Sequence, residues 1–271
     1  MVAYFKWQNN LFMVGGFLAG ALISLLCWNT VLAGETNPFT QVSFVLLLCL
    51  LGIVLGRLAS AKWCNSRLTA ISNKLYRDCD PEGFLKDFAP LAARVPRDNV
   101  VHADAQVKIS FAHEAMGEFQ KGLDDLEEVR AEELKLHSLQ AKAITENQRM
   151  RLYLLLEDLP MAGLQLEELE ELEQYAGQNA KMLGEQLHAC NVLSRNWYHF
   201  LTGDDVDLAY LREEADLAKN DIYRAEMELL VGRVLLQQGN RGEAETALRK
   251  AAETGKTLYP GREARRLLET L

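Results

Sequence analysis

Residues 226–254, EMELLVGRVLLQQGNRGEAETALRKAAET, decide the fold class. Apolar and small side chains recur through it at helical spacing: Val231, Gly232 and Leu235 before Gly239, then Ala244, Leu248 and Ala251 after it. Such spacing lines one face of an α-helix, and the two-residue alternation of a half-buried strand does not occur. Gly239 separates the two periodic segments, where a residue free of a side chain permits a tight turn. The stretch therefore reads as two short helices folded against each other.

These residues resemble the tetratricopeptide-repeat (TPR) family, whose unit of about 34 residues is a helix, a turn and a second helix. In that family small residues at the eighth and twentieth places mark where the two antiparallel helices touch. Gly232 and Ala244 take those places, while Leu248 and Ala251 are positioned to pack on the pair and its neighbour. Two departures are visible: Glu228 stands where the family carries an aromatic, and Lys256 where it carries a proline. An atypical terminal unit accounts for both.

Weaker copies lie upstream. Residues 109–129, ISFAHEAMGEFQKGLDDLEEV, place Gly117 at the turn, and Gly122, Leu126 and Val129 in a second helix. Residues 150–169, MRLYLLLEDLPMAGLQLEEL, repeat the pattern with Met150, Tyr153, Ala162, Leu166 and Leu169. Residues 196–218 follow with Gly203 at the turn and Ala209 as the small residue. Gly122, Ala162, Ala209 and Ala244 are 40, 47 and 35 residues apart, so helices or turns are longer than in the family unit. With residues 66–95 as one more pair, in which Asp80 caps a helix beginning at Pro81, about five helix pairs are predicted, stacked as a TPR-like α-solenoid. A closing helix starts at Pro260 and Gly261, and Arg262, Arg265 and Arg266 are expected to keep its outer side wet.

The amino end has another character. Residues 11–34, LFMVGGFLAGALISLLCWNTVLAG, contain no charge, and residues 39–56, FTQVSFVLLLCLLGIVLG, form a second such run after the break at Glu35 to Pro38. Each is long enough to cross a hydrocarbon core, where only a helix satisfies its own backbone. The prediction is a transmembrane helical hairpin, residues 1–63, with spans at about 11–34 and 39–61, followed by the helical repeat domain, residues 64–271. Lys6 and the group Arg57, Lys62, Arg67, Lys74 and Arg77 flank the hairpin, and the connecting turn has no basic residue. Both termini and the repeat domain are therefore expected on the cytoplasmic side of a bacterial plasma membrane. An alternative takes the first run as a signal peptide cleaved after Val31-Leu32-Ala33. Gly16 and Gly20, and Gly52 and Gly56, form GxxxG pairs suited to close helix contact, including homo-oligomerisation, although glycine is common in membrane helices anyway.

Residues 1–60 carry only Lys6, Glu35 and Arg57 as charged side chains, so nearly all of the 29 basic and 38 acidic residues lie beyond them. The domain is thus acidic, which argues against a nucleic-acid partner, since such a surface needs clustered Lys and Arg. Cys27, Cys49, Cys64, Cys79 and Cys190 show no CxxC spacing and His102, His113, His137, His188 and His199 are scattered, so no metal site is predicted. Neither a phosphate loop nor a nucleophile with its base is present, and no catalytic residue or cofactor is assigned. No ionisable group lies mid-span to carry protons or ions. The acidic run Glu167 to Glu173 reads as a solvated helix face or as a lure for a basic partner.

The resemblance implies a concave face that binds a protein or peptide. Carried across place by place, it nominates Lys108 in the first clear unit, Asn147, Gln148 and Arg151 in the next, and Arg233 in the last. The family's set that clamps a terminal carboxylate is incomplete here, and the same residues would equally serve to solvate the groove. The expected role is a membrane-tethered adaptor or scaffold; a self-assembling structural membrane protein and an enzyme with an unrecognised site are the alternatives.

Overall fold

The structure is a computed structural model and describes residues 2–27, 37–127, 129 and 138–271. Among these the chain is wholly helical, with twelve α-helices, a 3-10 turn at Val2–Phe5 and no strand. It divides into two compact units, Met1–Ile71 and Ser72–Leu271. The break at Glu35 and Thr36, residues 28–34 of the first apolar run with its cleavage motif, and His137 lie outside the described residues.

In the first unit, α1 (Lys6–Cys27) and α2 (Pro38–Tyr76) are each long and apolar enough to cross a membrane, and only 11% of either apolar window is buried. A core helix of a soluble protein hides most of its apolar surface, whereas here Leu18, Leu22, Leu25, Leu47 and Leu50 stand exposed. Helix α2 is capped by Asn37, whose side-chain oxygen accepts from Phe39 N at 2.9 Å. It does not stop near Ala61 as expected but runs to Tyr76, because no Gly or Pro interrupts residues 57–80. The unit boundary therefore falls inside a helix.

The glycines of both GxxxG pairs meet within this unit. A methyl added to Gly16 would overlap the Gly52 carbonyl, one on Gly52 the Gly16 carbonyl, one on Gly20 the Leu48 carbonyl and one on Gly56 the Phe12 carbonyl. Backbone packs directly on backbone, the contact that small residues permit between helices in lipid. Trp63 closes the same end, with Phe5 edge-on at 5.3 Å and Phe12 at 6.2 Å.

The second unit holds α3 (Pro81–Ala92), α4 (Val100–Met116), α5 (Phe119–Glu127), α6 (Ser138–Leu156), α7 (Leu159–Asn179), α8 (Lys181–Thr202), α9 (Leu208–Leu217), α10 (Asp221–Gln237), α11 (Arg241–Gly255) and α12 (Tyr259–Leu268). A left-handed residue follows α2, α4, α6, α8 and α10 in turn: Cys79, Gly117, Glu157, Gly203 and Gly239, spaced 38, 40, 46 and 36 residues. An Asp, Glu or Asn comes next each time. Asp80 and Asp158 then cap the following helix, accepting from Gly83 N at 2.8 Å and Met161 N at 3.3 Å. Asp80 and Pro81 thus take their expected places.

Helix α4 packs on α5, α6 on α7 and α10 on α11, while α4, α6 and α8 also contact one another in series. The third copy departs from this pattern, since α8 lies along α7 and α9 mainly along α10. Its turn is longer, with the cap at Asp207 rather than directly after Gly203. The shift exposes Ala209 and gives its expected place to Leu211, which is fully buried. One apolar cluster runs through α6 to α11, including Met150, Leu154, Ala162, Leu169, Trp197, Leu211, Leu230 and Ala244. Each buried Leu or Met side chain contributes about 1.5–3 kcal/mol.

Arg262, Arg265 and Arg266 of the last helix are exposed, and two of them also reach other parts of the chain. Arg262 donates to Met116 O at 2.7 Å, Arg265 donates to Ala252 O at 3.0 Å, and Tyr259 meets Phe119 edge-on at 4.8 Å. Residues 146 positions apart are thereby joined, so α12 closes onto the α4–α5 turn.

Candidate functional site

Six positions before the left-handed turn residue, the first helices carry Phe111 on α4, Arg151 on α6, Trp197 on α8 and Arg233 on α10. The Arg151 guanidinium stands 5.9 Å from the Phe111 ring centre, and Arg233 stands 5.1 Å from that of Phe200. Trp197 helps line one space with Arg151 and another with Arg233.

Arg151 is the centre of this face. It donates to Glu114 at 2.5 Å and to Glu226 at 2.8 Å, tying α6 to both α4 and α10. Gln148 donates to the second oxygen of Glu114 at 2.6 Å. The side chains are 12%, 1% and 8% exposed for Arg151, Glu114 and Glu226, so charge here is stripped of water. Burial pulls the Arg151 guanidinium down, but the two carboxylates more than offset this and hold it firmly protonated. One guanidinium cannot balance two carboxylates. Burial first, and then the charge of Glu114, push the Glu226 carboxyl up to about 7 against the pull of Arg151.

Beside this network lies a cavity of about 310 Å³, walled by Asn147, Arg151, Cys190, Trp197, Glu214 and Tyr223 among others. Tyr223 donates to Glu214 at 2.8 Å, and burial together with that bond keeps its phenol protonated. Burial likewise pushes the Cys190 thiol up, although Arg151 pulls the other way. Tyr76 stacks on Phe111 at 5.7 Å, and burial, then the charges of Asp104 and Glu114, raise it to about 12. These are neutral hydrogen-bonding groups at pH 7, suited to packing and recognition.

The expected site residues divide. Asn147, Gln148 and Arg151 come together on α6 beside Glu114 and the cavity. Arg233 faces a smaller space shared with Glu114, Glu226 and Tyr259, and donates to Glu157 at 2.7 Å. Lys108 pairs with Asp104 one turn earlier on its own helix, at 2.5 Å, and lines neither space. Glu114, Trp197, Glu214, Tyr223 and Glu226 were not foreseen. The available signal was acids within an apolar run: Glu226 and Glu228 in AEMELLVG are both buried, and Glu228 accepts from Lys250 at 3.1 Å.

Of the histidines, His113 sits 2.6 Å from Asp125 and His188 2.8 Å from Glu173, each within a helix-to-helix contact. Among the described residues no group of His, Cys, Asp and Glu is arranged to hold a metal ion. Compared with known proteins, the chain matches no family model, no curated protein and no solved structure.

Proposed function

We propose that the chain is a membrane-tethered adaptor of the TPR type, whose helical domain holds a protein partner at the cytoplasmic face. The observation that carries this reading is the left-handed turn residue recurring five times at intervals of 36 to 46 residues. Recurrence of one helix-turn-helix unit is the mark of a stacked repeat, in which each pair completes its core on the next. The uncovered apolar surface of α1 and α2 supports the tether, since lipid is the solvent that such surface prefers. Tethering raises the local concentration of a partner without any new contact.

A binding role fits the interior better than catalysis does. Its central carboxylates are committed to Arg151 and its phenols to burial or to Glu214. Homo-oligomers built on Gly16, Gly20, Gly52 and Gly56 would have to replace the contact those glycines make within the chain. Protease protection in sealed inverted vesicles tests the orientation: the domain is expected to be digested from the cytoplasmic side alone. Site-specific crosslinking in membranes tests the role, and a scan of the domain surface that recovers no protein partner would end the adaptor reading.

A further inference from the structure

We propose that the outward stripe of α7 is the docking surface, and that its occupant is a basic amphipathic helix of the partner protein. This rests on the adaptor reading and gives it a surface. Among the described residues of the second unit, the exposed large apolar side chains are few, and five of them, Leu156, Met161, Leu164, Tyr175 and Met182, fall within residues 156–182. The other described residues of the unit add only Leu217 and the terminal Leu271. Such concentration is unlike the single scattered apolar residues of an ordinary surface.

Helix α7 buries Ala162, Leu169, Leu172 and Ala176 on its inner side. Met161, Leu164 and Tyr175 recur on the other side at intervals that keep them in line along the helix. Leu164 is 62% exposed and Tyr175 57%, and the eleven positions from one to the other span about 16 Å of helix. Between these two apolar anchors project Glu167 and Glu171, exposed and with no ion partner among the described residues. Their neighbours are already engaged: Glu168 with Lys142, Glu170 with Arg195 and Glu173 with His188. The stripe is therefore apolar at both ends and negative in the middle.

The complement is a helix carrying two apolar residues about eleven positions apart, with Lys or Arg on the two intervening turns, laid along α7. An anionic lipid surface is repelled by the two carboxylates and does not fit. The inward face offers less, because Arg151 and Arg233 are already paired there and α12 closes onto the α4–α5 turn.

The test uses the full chain in phosphatidylcholine nanodiscs and a fluorescent helical peptide of this design, with a twin that has Glu for Lys. The Lys peptide is expected to bind, and the Glu twin to bind at least about tenfold more weakly. Leu164→Ser and Tyr175→Ser are each expected to cost about tenfold, the loss of one buried apolar anchor. Glu167→Lys with Glu171→Lys is expected to reverse the preference towards the twin. Equal binding of the two peptides, or indifference to all three variants, overturns the proposal. A photocrosslinker at position 171 in native membranes is expected to capture a partner at a basic helix. If position 171 captures only a second copy of the chain, or if capture occurs at position 147 and not at 171, the α7 stripe is not the surface although the adaptor reading stands. Capture at no position removes both.

Discussion

Glu157, which holds a left-handed backbone (φ 56°) at the turn between α6 and α7, accepts a hydrogen bond at 2.7 Å from Arg233 of α10. At the matching turns Gly117, Gly203 and Gly239 adopt that backbone without strain. A side chain there costs about 1 kcal/mol, and this one is retained where its carboxylate reaches another helix pair. Because Glu157 is 58% exposed, the ion pair offsets that cost only in part, by about 0.2–1 kcal/mol. Glu157→Gly is therefore expected to leave stability within about 1 kcal/mol of the parent, since relief of strain balances the lost pair. Glu157→Ala keeps the strain and loses the pair, so it should be the less stable of the two by about 1 kcal/mol. Chemical denaturation of the full chain in detergent, followed by circular dichroism, gives the order; Ala above Gly would refute this account of the turn.

That turn also explains what the sequence reveals and what it hides. Apolar spacing and the Gly at three of the five turns expose the helices and the hairpin character of Gly239 and Gly117 to inspection, and the uncharged runs expose α1 and α2. Cys79 and Glu157 hold the same backbone with residues that do not advertise a turn, so two of the five turns are hidden in the sequence. Helix α2 runs on past Ala61 because lipid preference stops near Arg57 while helix propensity does not, and the two boundaries are independent. That Asn147, Gln148 and Arg151 share one part of α6 follows from their spacing. That Glu114 and Glu226 join them does not, because an ion pair between residues 37 or 75 positions apart leaves no local pattern.

The raised carboxyl of Glu226 makes stability depend on pH in a definite direction. Its value of about 7 in the folded chain lies above the ordinary 4.5, so the folded state takes up a proton that the unfolded state releases. The stabilisation is complete below about 4.5 and is lost as pH rises towards 7, by an amount on the order of 1–3 kcal/mol. Glu226→Gln stays uncharged and removes one of the two acids that compete for Arg151. It is expected to flatten the profile between pH 5 and 8 and to be more stable than the parent at about pH 8. Denaturation at both pH values checks this, and a parent chain that grows more stable from pH 5 to 7 while the variant does not would reverse the sign.

Removing Arg151 tests whether the network ties α4, α6 and α10 together or merely decorates them. Arg151→Met leaves Glu114 and Glu226 buried without their cation, which is expected to cost about 3–5 kcal/mol. Replacing all three residues by apolar ones of similar size removes the unpaired charges, and most of that loss should return. If Arg151→Met costs under about 1 kcal/mol, water reaches these groups and the burial described here is wrong.

In the first unit the same logic applies to backbone rather than charge. Gly16 and Gly52 leave no room for a side chain, since a methyl on either overlaps the other's carbonyl. Gly52→Leu should therefore push α1 and α2 apart, whereas Gly15→Leu, with nothing within 4 Å of its added carbon, should be tolerated. Cys49 reports the difference because it is 7% exposed and its backbone lies against Gly20. With the other four cysteines replaced by Ser or Ala, a maleimide in detergent should label Cys49 slowly in the parent and in Gly15→Leu, and faster in Gly52→Leu by about tenfold, as a separation costing about 1.4 kcal/mol or more would give. Equal labelling in all three chains would mean that the glycine faces do not hold the hairpin.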